Sequence, residues 1–196
     1  MKKLFVSAVL AGFAISVGAT AFLLTENCYL GALLFCVGLL MVRTFSLALF
    51  TGKVSRAFDG ETWVRLGVIW LGNLVGTVCT ALLETATRLA PALAERAETV
   101  CAVKCGDELF SLFILGMLCN VMIYLAVTPA EGHVALVYGV VIFVLCGFEH
   151  CVADMYYFAA AGLLGQPDAW LRLAVVSAGN AAGGVLFHTA RKWAAG

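Results

Sequence analysis

The sequence predicts an all-α polytopic membrane protein with six transmembrane helices in an inverted 3+3 repeat, helices 2 and 5 being broken. Three observations predict it. Residues of the set AVILMFWYC make up 63% of the 196 positions, charged residues make up 12%, and the mean hydropathy is +1.00. Soluble domains carry about 45–50% apolar and about 25% charged residues. Apolar stretches close to the ~20 residues needed to cross hydrocarbon follow one another along the whole chain. Two of those stretches run to about thirty residues and contain charges near their middle.

A soluble globule of this size has too little polar surface to hide so many apolar side chains. Twelve Lys and Arg balance twelve Asp and Glu, which leaves no basic surface for a phosphate backbone. A soluble enzyme, a disordered chain and a nucleic-acid binder are all excluded.

The spans in order are Leu4–Leu24, Tyr29–Ala57, Leu66–Leu83, Leu109–Val127, Val134–Leu164 and about Ala169–His188. The first, behind Met1-Lys2-Lys3 and ahead of Ala19-Thr20-Ala21, also outlines a signal peptide, whose removal would leave Phe22 first. The expectation is a retained helix that packs through Gly12 and Gly18. The longest connection, Thr85–Asp107, predicts a short amphipathic surface helix over Arg88–Val100. The chain then reads as a single transmembrane domain over residues 1–196, with repeat one about 4–84 and repeat two about 105–190.

Spans two and five are too long and too polar for simple helices. Span two holds Arg43, Ser46, Thr51, Gly52 and Lys53; span five holds Gly147, Glu149, His150 and Asp154. A break near mid-membrane accounts for both, since irregular backbone is tolerated there only when packed in protein or lining a cavity. The halves also match. Gly72-Asn73-x-x-Gly76 recurs as Gly179-Asn180-x-x-Gly183, 107 residues on, and Phe35 recurs as Phe143, 108 residues on. Three spans per half require the second half to be inverted, and paired interrupted segments point to a transport site.

Lys and Arg placement sets orientation. One side carries Lys2, Lys3, Lys53, Arg56, Arg65, Arg191 and Lys192; the other carries Arg88, Arg96, Lys104 and Arg172. Both termini are expected in the cytoplasm, in an inner or plasma membrane.

Gly147-Phe148-Glu149-His150-Cys151-Val152-Ala153-Asp154-Met155 resembles the GFEHxxANM signature of the formate/nitrite transporter family. Leu49-Phe50-Thr51-Gly52 resembles its LFTG/LFTS segment. Trp70–Gly76 and Gly116-Met117-Leu118-Cys119-Asn120 resemble its third- and fourth-helix motifs. The resemblance covers about residues 5–190, on a chain with a short N-terminus. It implies an aquaporin-like homopentamer with one pore per protomer, no cofactor, and small monovalent anions as substrate: formate or nitrite first, hydrosulfide as the alternative.

Carried over position by position, the resemblance implies constriction residues Phe35, Leu39 and Phe143, with Leu49, Phe50 and Thr51 lining the pore loop. It implies a vestibule lysine at Lys104 and a central polar pair, Asn120 and His150. The residues read independently give Asn73, Asn180 and Glu149 structural roles, tying down broken backbone or a neighbouring helix. The sequence departs from the family at Asp154, where Asn is usual, at Ala48, where an acid commonly precedes LFT, and at Arg43. Arg43 and Asp154 are expected to compensate for each other or for the missing acid.

The chemistry follows from the cost of an anion in a dry passage. Lys104 would concentrate anions at an entrance, rings of Phe and Leu would strip water, and the proton affinity of a weak-acid anion would rise as it desolvates. Two other classes compete: a membrane redox subunit with His150 and His188 as haem ligands, and an anchoring subunit. Of the eight Cys, Cys28, Cys101 and Cys105 are placed for a bridge only in an oxidising compartment. No Cys/His spacing suggests a metal.

Overall fold

The computed structural model describes residues 1–59, 62–128 and 132–196. Nine α-helices and no strand occur among these residues: α1 Lys2–Leu23, α2 Cys28–Thr44, α3 Phe50–Val54, α4 Trp63–Thr85, α5 Ala90–Gly106, α6 Leu109–Val127, α7 Gly132–Leu145, α8 Cys151–Ala160 and α9 Pro167–Ala194. Helices α1, α4, α6 and α9 are each long and apolar enough to cross a bilayer, while α2 and α7 are shorter apolar helices.

Both long spans are broken. The second is split into α2 and α3 by residues 45–49, the fifth into α7 and α8 by residues 146–150. The two helix ends before the breaks are built alike. Leu47 N–H bonds back to Val42 O at 2.9 Å around Ser46 at φ 52°, and Phe148 N–H bonds to Phe143 O at 2.9 Å around Gly147 at φ 67°. This is a left-handed C-cap, at which glycine is the inexpensive residue. Ser46 carries the strain of a side chain there.

Glycine sets how closely the long helices approach. A Cβ on Gly76 would sit 2.1 Å from Val9 O, and one on Gly183 would sit 2.1 Å from Met117 O. Thus α4 lies directly on α1 and α9 on α6, through small residues at four-residue spacing, as membrane helices pack. Trp70 of α4 donates its indole N–H to Ser177 Oγ of α9 at 2.9 Å, joining the two helix pairs.

The surface helix is longer than the Arg88–Val100 expected. Leu93, Ala97 and Cys101 form a buried stripe that carries it on to Gly106, and Lys104 therefore sits on a helix rather than in a loop. Arg172 of α9 holds that end, donating to Lys104 O and Asp107 O at 2.8 Å each. All eight cysteines are free thiols.

Candidate functional site

Two asparagines anchor the breaks. Asn73 accepts from Phe50 N–H at 2.9 Å and donates to Ala8 O at 2.8 Å and Ala48 O at 3.0 Å. Asn180 accepts from Cys151 N–H at 3.0 Å and donates to Gly116 O and Glu149 O at 2.8 Å each. Each amide satisfies backbone at the junction of the break with the short helix that follows it, and ties it to a neighbouring long helix. Ala48 N–H also donates to Ser7 Oγ of α1 at 3.0 Å. Ala48 thus serves the break through its backbone.

The first break ends at Leu49, with Phe50 and Thr51 opening α3, and the second carries Glu149 and His150. His150 caps α8: its Nδ1 accepts from Ala153 N–H at 3.1 Å. In the neutral ring the proton therefore lies on Nε2, which is 2.9 Å from Thr51 Oγ1. The Phe143 ring stacks on the imidazole, with centroids 5.6 Å apart, and Phe35 meets Phe143 edge-on at 5.7 Å. Phe35, Leu39, Phe143, Leu49, Thr51 and His150 are all nearly or fully buried.

A cavity of about 230 Å³ opens on the α5 side of this group, lined by Phe35, Phe143, His150, Lys104, Glu149, Asp154 and Tyr157 among others. A second cavity, of about 420 Å³, lies towards the face that carries the α3–α4 connection. Its lining includes Leu49, Gly52, Arg43, Lys53 and Arg56. His150 lines the first cavity and Leu49 the second, and the His150–Thr51 hydrogen bond joins the second break to α3.

Several expected residues sit otherwise. Asn120 does not bond His150; its amide donates to Ser55 Oγ at 3.4 Å, beside Gly184. Leu39 and Phe50 line neither of these cavities. Lys104 is not a bare cation. Its ammonium bonds the Glu149 carboxylate, lies 2.9 Å from Asp154 Oδ1, and stands 5.7 Å over the Tyr157 ring. Burial alone would lower its basicity, but Asp154 and Glu149 outweigh that and hold it charged.

Arg43 and Asp154 do not compensate for each other. Asp154 belongs to Lys104, while Arg43 donates to Ala126 O at 3.3 Å and Gly132 O at 2.7 Å on the opposite cavity. His150 and His188 do not face one shared ligand either. His188 lies 2.6 Å from Asp59 and 3.0 Å from the Tyr124 hydroxyl. Lys53 and Arg56 line the second cavity without having been expected there; Lys53 directly follows the LFTG segment and Arg56 lies three residues further on, a closeness that could have shown it.

The family profile described as Formate/nitrite transporter matches residues 1–194. The chain belongs to the formate/nitrite transporter family. This family member is 31% identical over 182 residues to the nitrite transporter NirC of Salmonella typhimurium, covering 81% of the chain and 68% of that relative. It is 26% identical over 206 residues to the formate channel FocA of Haemophilus influenzae, covering 87% and 72%. Its fold matches a solved FNT family ion channel with TM-score 0.84 at 28% identity, over 99% of this chain and 90% of that one. A pentameric formate channel with formate bound matches as a fold, with TM-score 0.82 at 24% identity over 98% and 96%. As a member of a transporter family it is a membrane transport protein and not an enzyme.

Proposed function

We propose that the protein is a channel for small monovalent weak-acid anions, formate or nitrite, in which the two cavities are the vestibules of one passage. The observation that supports this reading is the His150–Thr51 hydrogen bond, which links a residue lining one cavity with Phe35 and Phe143 to a residue two positions from Leu49, which lines the other. Relatives named as nitrite transporter and formate channel support the substrate class. The matched solved channel that is pentameric supports a homopentamer. The paired Asn73 and Asn180 anchors and the paired caps at Ser46 and Gly147 support an inverted repeat of three spans each. The cation-rich cavity and both termini then lie on the cytoplasmic side of the cell membrane.

An anion leaving the vestibule loses water to the Phe35 and Phe143 rings, and its proton affinity rises as it does. His150 offers Nε2–H as a donor in the passage. Its Nδ1 is held by the α8 backbone, so the ring stays neutral and donates without exchanging protons with the anion. The anion crosses the buried group at least partly as the neutral acid, with its proton coming from the vestibule side.

Proteoliposomes holding the purified protein test the reading. Influx of formate, nitrite and hydrosulfide is compared over a pH series against empty vesicles. Protein-dependent formate or nitrite influx that rises towards acid is expected. No protein-dependent flux of any of the three overturns the reading.

A further inference from the structure

Among the residues lining the α5-side cavity, the charged groups are one cation, Lys104, and two acids, Glu149 and Asp154. Asp154 is 1% exposed and Glu149 5%. The Lys104 ammonium donates to Glu149 and stands 2.9 Å from Asp154 Oδ1 as an ion pair, while neither Asp154 oxygen accepts a hydrogen bond among the described residues. Among the described residues, Lys104 is the cation paired with these two acids. The titratable groups that face Asp154 are Cys101 and Lys104 from α5, and Glu149 and His150 from the break. Cys119 faces it from α6, and Cys151 and Tyr157 from α8. Arg172 of α9 gives its guanidinium to carbonyls and to Asp168. Glu84 of α4, near α8, accepts from Thr20 and Tyr156.

Fully ionised, the trio sums to one negative charge inside a cavity that must receive an anion. In a site partly shut off from water such a charge repels its own substrate. With Asn at this position the trio would be neutral without a proton, so the mismatch is made by Asp154 alone.

We propose that Asp154 makes this vestibule admit an anion only together with a proton. The Lys104–Glu149–Asp154 cluster takes one proton from water at the α5 mouth onto its carboxylate pair. That brings the cavity to neutrality, and the anion then enters beside a proton that it can take up as it desolvates. The proton moves from hydronium to a carboxylate oxygen and on to the anion; no other bond changes. The inference rests on the channel reading above and names Asp154 as the residue that couples proton to anion.

The test compares formate influx for the wild type, Asp154→Asn and Asp154→Glu in proteoliposomes, with pH equal on both sides. Asp154→Asn should raise the ratio of influx at about pH 7.5 to influx at about pH 5.5 by about tenfold, because entry no longer waits for a proton. Asp154→Glu should keep the wild-type ratio. An Asn variant with the wild-type ratio overturns the proposal, as does wild-type flux that follows sodium rather than protons. A wild type with no flux at all instead removes the channel reading. Infrared difference spectra give a readout apart from transport. A protonated-carboxyl band that titrates in the wild type should vanish in Asp154→Asn and in Glu149→Gln, and its persistence in both overturns the proposal. Should Asp154→Asn fail to insert, Glu149→Gln, which also leaves one acid against one base, must show the same flattened profile.

Discussion

An amide side chain accepts once and donates twice in Asn180, and all three bonds end on backbone. Replacing it with alanine strands a buried N–H and two carbonyls where little water reaches. Asn180→Ala should destabilise the protein by about 2–4 kcal/mol, measured by unfolding in detergent, with Asn73→Ala similar. His150 has a different kind of role. Asn in its place can still cap α8 but does not reach Thr51, so His150→Asn should slow formate flux by about tenfold for one lost donor. The slope of flux against pH should stay as in the wild type, because the imidazole is held neutral. A His150→Asn protein that loses its pH response would return the proton to the imidazole. At this scale the sequence was uneven. The repeated GN pair announces a structural asparagine because an anchoring amide needs a close-packed glycine beside it. The pairing of Lys104 with Asp154 was invisible, since fifty residues of chain separate them and a lone lysine at a loop edge reads as solvated.

Helices that must break leave a compositional trace, which is why α2–α3 and α7–α8 could be read from charges inside over-long apolar runs. The end of α5 could not be read. Its buried stripe of Leu93, Ala97 and Cys101 is diluted by Glu95, Arg96 and Glu98, so the apolar period is faint. The C-terminal end of α9 is fastened to the α3–α4 connection by a small polar chain. Arg191 donates to the Tyr124 hydroxyl, which pairs with His188; His188 and Lys192 both hold Asp59. The hydrogen bond from His188, and then those from Lys192, keep the Asp59 carboxyl below its ordinary range. A carboxyl lowered on folding adds stability above its unfolded value, and that stability disappears as pH falls through the folded value. Asp59→Asn should therefore lower the thermal midpoint at neutral pH and match the wild type in strong acid. A constant gap between the two across the series would sever Asp59 from the pH dependence.

Across the whole molecule the two cavities are unlike. The α5 side balances one cation against two acids, whereas the opposite side lines its cavity with Lys53 of α3 and Arg56 just after it. A cation-rich mouth gathers anions, and it does so less as salt rises. In vesicles of known orientation, Lys53→Ala with Arg56→Ala should slow anion entry from that mouth by about threefold to tenfold at low ionic strength. Entry from the α5 mouth should be little changed, and equal slowing from both sides would contradict the assignment. The bulk of the architecture was legible because hydropathy reports burial in lipid directly. The asymmetry of the mouths was not, because net charge per loop does not say which side chains turn inward.

The anchor at Asn73 has a mechanical consequence. One side chain grips α1 at Ala8 and the interrupted backbone at Ala48 and Phe50, and Ser7 adds a second grip on Ala48. Leu49 is thus clamped between two tethered neighbours. Rotation or tilt of the first helix, such as a thinner bilayer would impose, should therefore be passed to Leu49 through these bonds.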